Sequence, residues 1–338
     1  MKKTPLHTIY EQQKTFFDSG KTLHYSFRLA ALLRLEDALN TYEDALIKAL
    51  NEDLKKSAFE SYSAEIGLIK SEIRFAKRRL KKWMRPRKQR DVLINFPSKN
   101  YHVPIPYGLS LIIGPWNYPV QLCLNPLIGA IAAGNTVLLK PSEWAPQVGE
   151  VLQRMIAEFF NPAHISVLTG DETLSAELVE LDVDYIFFTG STQVGRLVAQ
   201  SAGSRLIPCT LELGGKSPCI VDQTADLKIT ARRIAWGKFM NAGQTCVAPD
   251  YVLVDERVES ELLMHLKDAI NEFYGADAST SPDYPRIVSD KHYNRLVNLF
   301  EEKSPPDSSV SEKGAMLYMG GETKAEERYI SPTILTDL

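Results

Sequence analysis

The stretch L-S-L-I-I-G at residues 109–114 opens a region in which short apolar runs alternate with helical patterns as far as Gly190. Runs of this length are typical of buried strands, and the longer segments between them predict helices. Such alternation indicates parallel strands joined by helices, and hence a doubly wound α/β sheet. The predicted strands are Leu109–Ile113, Thr136–Leu139, Ile165–Leu168 and Tyr185–Phe188, and the predicted helices are Gln121–Ala133, Gln147–Phe160 and Thr173–Leu181.

The segments on either side extend this α/β pattern. The first quarter predicts two helices, at Phe27–Glu52 and Ser63–Trp83, and loose alternation from Asp91 to Ile105 predicts a hairpin. A second α/β block is predicted from Leu206 onward, and Lys303 to Ser311 has the composition of an exposed loop. The block's predicted strands are Leu206–Leu213, Cys219–Asp222 and Tyr251–Val254, and its predicted helices are Lys228–Met240 and Glu259–Phe273.

Composition narrows the class of protein. A chain of 338 residues predicts about two domains at roughly 150 residues each. The net charge of −3 argues against electrostatic binding of nucleic acid by the whole molecule. Four scattered cysteines without a C-x-x-C pair fit a reducing cytosol, so we expect a cytoplasmic protein. The most apolar stretch, Leu122 to Leu139, is interrupted by Asn125, Pro126 and Asn135, which favours a buried helix and strand over a membrane span.

The basic residues of the first quarter and the histidines are weak evidence for nucleic-acid binding and for metal binding, respectively. The basic residues from Lys70 to Arg90 favour a solvated helix end over a nucleic-acid surface, because no recognisable nucleic-acid module accompanies them. The six histidines are scattered and show no ligand spacing, so no metal is predicted.

Two segments have the features of a nucleotide site. Phe187 to Gly195 runs from a strand through Gly190 into a helix, whose N-terminus would suit a pyrophosphate. It is neither a G-x-G-x-x-G motif nor a P-loop, and taken alone it is a commonplace junction. Lys140 ends a predicted strand and Glu143 follows it, so the pair is placed either to hold ribose hydroxyls or in a surface turn.

Three residues are candidates for chemistry, each with a plainer alternative. Asn117 lies in a turn bounded by Pro115 and Pro119 and either donates to an oxyanion or bonds its own backbone. Glu212 interrupts an apolar strand and is either salt-bridged or a poised base. Cys246 follows a turn with a glycine, where its sulfur is either presented for reaction or packed as core.

Taken in order, these segments resemble the aldehyde dehydrogenase family, and its class 3 branch in particular. The resemblance runs from the first helices to Tyr329-Ile330-Ser331-Pro332-Thr333 and so covers essentially the whole chain. The motifs that carry it are Pro115-Trp116-Asn117-Tyr118-Pro119, Lys140-Pro141-Ser142-Glu143, Phe188-Thr189-Gly190-Ser191, Glu212-Leu213-Gly214-Gly215-Lys216-Ser217-Pro218 and Gly243-Gln244-Thr245-Cys246.

The resemblance implies a fold and a domain plan. It implies a Rossmann-like cofactor-binding domain at residues 1–90 and 106–211, and a small bridging hairpin used in oligomerisation at residues 91–105. An α/β catalytic domain would follow at residues 212–338. We therefore expect a homodimer, provided that a C-terminal strand pairs with the hairpin.

The resemblance also implies a mechanism, NAD(P)-dependent oxidation of an aldehyde to a carboxylic acid. Cys246 would be the nucleophile, Asn117 an oxyanion donor and Glu212 the base that activates water. NAD is the expected cofactor, because a carboxylate at Glu143 repels the 2′-phosphate that distinguishes NADP. We expect NADP to be accepted as well. The implied cofactor-binding residues are Trp116, Lys140, Glu143, Gly190, Ser191, Gly195 and Leu213.

The sequence departs from the family pattern after the I-S-P-T segment. The family continues with an E-I-F-G-P motif, whose glutamate holds the nicotinamide ribose, and this motif does not occur before Leu338. We expect a fragment of a complete enzyme. The alternatives are a truncated, catalytically impaired cofactor-binding or oligomerisation relative, and an enzyme that transfers the acyl group to coenzyme A.

Overall fold

The computed structural model describes residues 5–90, 93–301 and 316–337. Asp91 at the start of the predicted hairpin and the predicted loop from Lys303 to Ser311 lie outside these ranges. Packing divides the chain into two compact units, one formed by Met1–Leu46 and Tyr62–Leu213 and the other by Ile47–Ser61 and Gly214–Leu338. The division of cofactor binding and catalysis between domains stays a prediction.

The N-terminal quarter is helical, as predicted, but in more pieces. Helix α1 is Pro5–Asp18, and the predicted helix Phe27–Glu52 is divided into α2 at Tyr25–Thr41 and α3 at Glu43–Leu54. Tyr42 interrupts them with φ −101° and ψ 7°, outside the helical range. The apolar stripe survives the break, because the leucines that define it are fully buried: Leu32, Leu35, Leu39, Leu46 and Leu50.

The next two predictions also need correction. The helix predicted at Ser63–Trp83 begins with a π-helical turn at Tyr62–Ile66, which follows the short helix α4 (Ala58–Ser61), and continues as α5 (Gly67–Trp83). The hairpin strands are β1 (Arg87–Lys88) and β2 (Tyr101–His102), which pair antiparallel, so the first arm lies before residue 91. Ile94 and Phe96, which belong to the predicted alternation, are exposed, as are Tyr101, Val103 and Ile105, so the alternation did not mark a buried strand face. Val92 of the same pattern lies outside the described residues.

The larger unit contains one five-stranded parallel sheet in the order β5-β4-β3-β6-β7. This confirms the predicted parallel α/β sheet. The predicted elements Leu109–Ile113 and Gln121–Ala133 have their predicted bounds, and the others shift by one or two residues at their ends. The elements are β3 (Leu109–Ile113), α6 (Gln121–Ala133), β4 (Thr136–Lys140), α7 (Pro146–Phe159), β5 (Ile165–Val167), α8 (Glu172–Val179), β6 (Tyr185–Gly190), α9 (Thr192–Ser204) and β7 (Cys209–Leu213).

Strand β7 belongs to this sheet, although the sequence placed Leu206–Leu213 in the second block. It pairs with β6 in parallel from Ile186 opposite Cys209 to Gly190 opposite Leu213. The strand starts three residues later than predicted, because Leu206 is exposed with a left-handed φ of 57° and Pro208 has no N–H to donate.

The strand order reverses direction between β3 and β6. From β3 the chain crosses to β4 and then β5 on one side, and it later returns to β6 and β7 on the other side. Open α/β sheets bind ligands at such a switch point, outside the carboxyl ends of the strands. The sheet therefore predicts a ligand site beyond Ile113 and Gly190, the last residues of these two strands.

The second unit is built on a shorter βαβ motif. Strands β8 (Ser217–Val221) and β9 (Pro249–Val254) pair in parallel and are joined through α10 (Leu227–Phe239). An apolar cluster that includes Val221, Leu227 and Leu262 packs beneath them. The other elements are α11 (Glu259–Tyr274), α12 (Asp290–Glu301), and the antiparallel pairs β10 (Met316–Met319) with β13 (Ile334–Thr336) and β11 (Thr323–Lys324) with β12 (Tyr329–Ile330).

Within the described ranges, every helix is too short or too polar to cross a bilayer.

Candidate active site

Several predicted site residues follow strands of the five-stranded sheet at its carboxyl edge. Asn117 lies in the turn after β3, Gly190 is the last residue of β6, and Glu212 is one residue from the end of β7. Glu212 is opposite Thr189 and Leu213 is opposite Gly190 in the parallel register. The topology thus brings the predicted base, the predicted amide donor and the predicted pyrophosphate turn to one edge, on both sides of the switch point.

Lys140 is the last residue of β4 and is only 1% exposed. Its Nζ donates a hydrogen bond to Glu143 Oε2 and forms an ion pair with it, while the Glu143 side chain remains 36% exposed. Because a buried ammonium group requires a partner, Glu143 compensates the cost of burying Lys140. Because Lys140 is buried at a strand end, it does not lie in a surface turn, which was the other alternative left open by the sequence. The carboxylate of Glu143 remains accessible to hydroxyl donors.

The β6–α9 junction has the geometry of an anion-binding helix N-terminus. Ser191 is the residue before α9, and its Oγ accepts a 3.2 Å hydrogen bond from the Val194 N–H. A Cβ at Gly195 would lie 2.6 Å from Leu213 Cδ2, so glycine allows α9 to approach the end of β7. The first-turn N–H groups that lack an intrahelical acceptor then point beyond β6, where they suit a phosphate.

The turn that carries Trp116 and Asn117 is held by buried neighbours. Pro115, Tyr118 and Pro119 are buried, whereas Trp116 and Asn117 are half-buried. Two prolines restrict the backbone of the turn, so the direction of the Asn117 amide is defined by its surroundings.

Glu212 lies at the exposed end of β7. Its carboxylate is therefore accessible to water, as a base that activates water requires. Gly214 and Gly215 follow it, and a Cβ on Gly215 would lie 2.9 Å from the Cys246 carbonyl oxygen. The second glycine of this motif therefore allows the backbone of the Cys246 loop to approach it closely.

Cys246 is exposed, whereas Cys123 is buried. The packed alternative left open for Cys246 is thus wrong, and it applies to Cys123 instead. Cys246 follows a turn in which Asn241, Ala242 and Gly243 all have positive φ, of 55°, 51° and 78°. Non-glycine residues in this region cost free energy, so the surrounding contacts must hold the turn in place.

Gln244 supplies those contacts, and sequence reasoning assigned it no role. Its Nε2 donates to the carbonyl oxygens of Asn241 (3.0 Å) and Arg286 (3.1 Å), and its Oε1 accepts from the Val288 N–H (3.0 Å). One amide thus ties the loop two residues before Cys246 to a segment some forty residues later. Its presence in the G-Q-T-C motif was the only available signal.

The sequence profile of the aldehyde dehydrogenase family matches residues 2–338. The chain belongs to the aldehyde dehydrogenase family. This confirms the resemblance inferred from the motifs, and the family consists of enzymes that oxidise aldehydes with NAD(P).

Two curated aldehyde dehydrogenases illustrate the similarity. The 4,4'-diaponeurosporen-aldehyde dehydrogenase of Staphylococcus aureus is 45% identical over 326 residues, which cover 96% of this chain and 69% of that protein. The "Aldehyde dehydrogenase, dimeric NADP-preferring" of Mus musculus is 39% identical over 333 residues, covering 98% and 71%. The chain spans 64–71% of the length of such relatives.

A solved structure confirms the aldehyde dehydrogenase fold. The substrate-bound state of Staphylococcus aureus AldH superposes with a TM-score of 0.91 at 44% identity, over 98% of this chain and 70% of that one.

Proposed function

We propose that this chain carries the catalytic thiol, base and amide for NAD(P)-dependent oxidation of an aldehyde to a carboxylic acid. The observation that carries the proposal is the placement of Asn117, Lys140, Gly190 and Glu212 at the carboxyl ends of four strands of one parallel sheet. The exposed thiol of Cys246 supports it from the second unit.

Cys246 acts as the nucleophile. Its thiolate adds to the carbonyl carbon of the aldehyde, and the C=O electron pair becomes an oxyanion. The amide of Asn117 donates to that oxyanion, and loss of one such donor typically costs about 3 kcal/mol of transition-state stabilisation. Collapse of the oxyanion restores the C=O bond as hydride departs, which leaves a thioester on Cys246.

Glu212 acts in the second half of the reaction. Its carboxylate removes a proton from water, the resulting hydroxide attacks the thioester carbonyl, and the C–S bond breaks to release the acid. The thiol is thereby regenerated. The exposure of Glu212 supports a role in hydrolysis, because a base that activates water must be reached by water.

The residues present fit a dinucleotide. When bound, NAD or NADP supplies the electrophilic nicotinamide carbon that accepts hydride. The N-terminus of α9 with Ser191 binds the pyrophosphate, Gly195 and Leu213 shape the adjoining surface, and Trp116 contributes to the pocket wall. Lys140 and Glu143 bind the hydroxyls of the adenosine ribose. NAD is preferred over NADP because the Glu143 carboxylate repels a 2′-phosphate, in contrast to the preference named for the mouse relative.

The substrate is a small-molecule aldehyde, and the enzyme is cytoplasmic and homodimeric. The exposed apolar residues Leu93, Ile94 and Phe96 between β1 and β2 support the dimer, because large apolar side chains in contact with water favour association. Dimerisation proceeds if a C-terminal strand pairs with this hairpin.

NAD reduction by the purified chain tests the proposal, with an aliphatic and an aromatic aldehyde as substrates. We expect Cys246→Ala to abolish oxidation but retain NAD binding, and Glu212→Gln to stop after one turnover with an acylated protein detectable by mass spectrometry. If coenzyme A speeds up product formation, the alternative in which the acyl group is transferred to coenzyme A would be favoured instead. NAD binding by a parent chain that oxidises neither aldehyde would contradict the proposal and support the non-catalytic alternative.

A further inference from the structure

Glu65 is a fully buried carboxylate to which the proposed reaction gives no role. It lies in the π-helical turn Tyr62–Ile66, immediately before α5, and is 0% exposed. Burial of a carboxylate is costly unless hydrogen bonds or charges compensate it. π-helical turns are rare and occur frequently at functional sites. Both features call for an explanation beyond the packing of α5.

The compensation comes from the start of α6. Glu65 Oε2 accepts hydrogen bonds from the backbone N–H groups of Val120 (2.9 Å) and Gln121 (3.1 Å). The first N–H groups of a helix have no intrahelical acceptor, and the side chain of Val120 has no oxygen with which to cap them. Glu65 therefore caps α6 from a position 55 residues earlier in the sequence. Its negative charge also interacts favourably with the positive end of the helix dipole.

The capped residues directly follow the turn that carries Asn117. At its other end the turn is held by Gly114, whose N–H donates a 3.0 Å hydrogen bond to the Lys140 carbonyl oxygen. The turn is thus fastened on both sides, by β4 before Asn117 and by Glu65 after it. Because the intervening residues include Pro115 and Pro119, two fixed ends leave the Asn117 amide little freedom.

The negative charge of Glu65 also acts on Cys123 in the first turn of α6. Burial and, second, the charge of Glu65 raise the pKa of the Cys123 thiol to about 12, against the opposing effect of Lys140. A Cβ on Gly114 would lie 2.2 Å from Cys123 Sγ, so the turn packs directly against this part of the helix. The first turn of α6 and the Asn117 turn therefore pack against each other, and Glu65 is hydrogen-bonded to the start of α6.

We propose that Glu65 is a positioning residue for Asn117: by capping α6 it holds the Asn117 amide in the direction that oxyanion stabilisation requires. The inference rests on the function proposed above. Glu65 acts on the reaction through Asn117, since its carboxylate is fully buried and its Oε2 accepts hydrogen bonds from the start of α6.

A double-mutant cycle between positions 65 and 117 tests this. The rate of hydride transfer is measured in single turnovers for the parent, Glu65→Ala, Asn117→Ala and the double variant. We expect Glu65→Ala to lower the rate about 10-fold to 100-fold, below the full loss of an oxyanion donor, with little change in the KM for NAD. In the Asn117→Ala background the same change should have almost no further effect. Rates that fall by independent factors would overturn the proposal.

Controls separate positioning from stability. Asp226→Ala removes the carboxylate that caps α10 through the Ile229 N–H, and it should lower stability without slowing hydride transfer. Glu65→Gln keeps one carbonyl acceptor and should recover most of the lost rate. Glu65→Leu, which fills the space but has no acceptor, replaces the alanine variant in the cycle if the latter does not fold. Equal loss of rate in Asp226→Ala and Glu65→Ala would indicate general destabilisation and overturn the proposal.

Amide hydrogen exchange gives a readout that does not depend on turnover. Peptides covering residues 114–124 should exchange faster in Glu65→Ala than in the parent, while peptides of α10 should not. Unchanged exchange would overturn the role of Glu65 whatever the activity. Failure of the proposed function has a different signature, in which Asn117→Ala itself leaves hydride transfer unchanged.

Discussion

The side-chain carbonyl of Gln244 accepts a 3.0 Å hydrogen bond from the backbone N–H of Val288, two residues after the Arg286 carbonyl that its amide N–H binds. Both polar ends of this side chain are therefore used to hold the loop of Cys246. Because Asn241 and Ala242 keep left-handed backbone conformations in that loop, loss of the amide removes part of what offsets their strain.

Replacement of this amide should slow the reaction without hiding the thiol. We expect Gln244→Met, of similar size but without hydrogen bonds, to lower the rate of aldehyde oxidation by a factor of about 10 or more, because the attacking sulfur loses its fixed position. Alkylation of Cys246 by iodoacetamide should stay within about twofold of the parent, since this reaction needs only an accessible thiolate. Gln223→Met, on an exposed turn of the same unit, is the matched control. Parallel losses of both rates would show instead that the substitution has hidden the thiol.

The four cysteines should differ in reactivity in the native protein. Cys246 is exposed, whereas Cys123 is buried and its pKa is raised to about 12, and burial also raises the pKa of Cys219. We therefore expect iodoacetamide at pH 8 to label Cys246 first and to label Cys123 only after unfolding. Peptide mass spectrometry over a time course identifies the order. Labelling of Cys209 or Cys219 before Cys246 would remove the main support for the nucleophile.

Cofactor choice should respond to Glu143. Its carboxylate, paired with the buried Lys140, would face a 2′-phosphate with like charge. We expect Glu143→Gln to raise kcat/KM for NADP relative to NAD by a factor of about 10, a ratio that corresponds to about 1.4 kcal/mol. The ratio of the two kcat/KM values measures the effect independently of enzyme stability. Glu172→Gln, in the first turn of α8, serves as a control for the change in net charge. An unchanged ratio would contradict the assignment of Glu143 to the ribose.

Stability should fall in mild acid because of His164. Burial and, second, the charge of Arg34 lower its pKa to about 4, among the rings of Phe16, Phe27 and Phe160. Between pH 6.5 and 4 the unfolded chain binds a proton at this position and the folded chain does not, so the free energy of unfolding decreases as pH falls. The full effect is about 3 kcal/mol, from about 2.5 pKa units at 1.36 kcal/mol each.

Urea unfolding from pH 7 to pH 4.5 measures this dependence. His164→Phe removes the titrating group, so the difference in slope between the variant and the parent isolates its contribution from that of the carboxylates. We expect a flatter profile for the variant, although its stability at pH 7 is lower because the ring loses a hydrogen bond to the backbone of Asn135. Identical slopes would show that the folded and unfolded chains bind the proton of His164 equally, and hence that its pKa is not lowered by folding.

The sequence determined those features that depend on local pattern. Apolar runs separated by helical periods were sufficient to predict a parallel α/β sheet, with β3 and α6 at their observed bounds. The same pattern placed Lys140 and Gly190 next to strand ends, although it ended those strands at Leu139 and Phe188, one and two residues too early. The family was identified from its motifs, since these combine unusual residues in a fixed order.

Tertiary structure decided what joins residues distant in the chain. Assignment of β7 to the first sheet depends on pairing with β6, which the apolar pattern of Leu206–Leu213 does not specify. The caps made by Glu65 and the contacts made by Gln244 bind backbone groups about 40 to 55 residues away, and backbone groups carry no sequence signature. Likewise, Cys123 is buried and Cys246 is exposed because different residues pack around each of them. The reactivity of a thiol depends on this packing, because burial raises its pKa and excludes reagents.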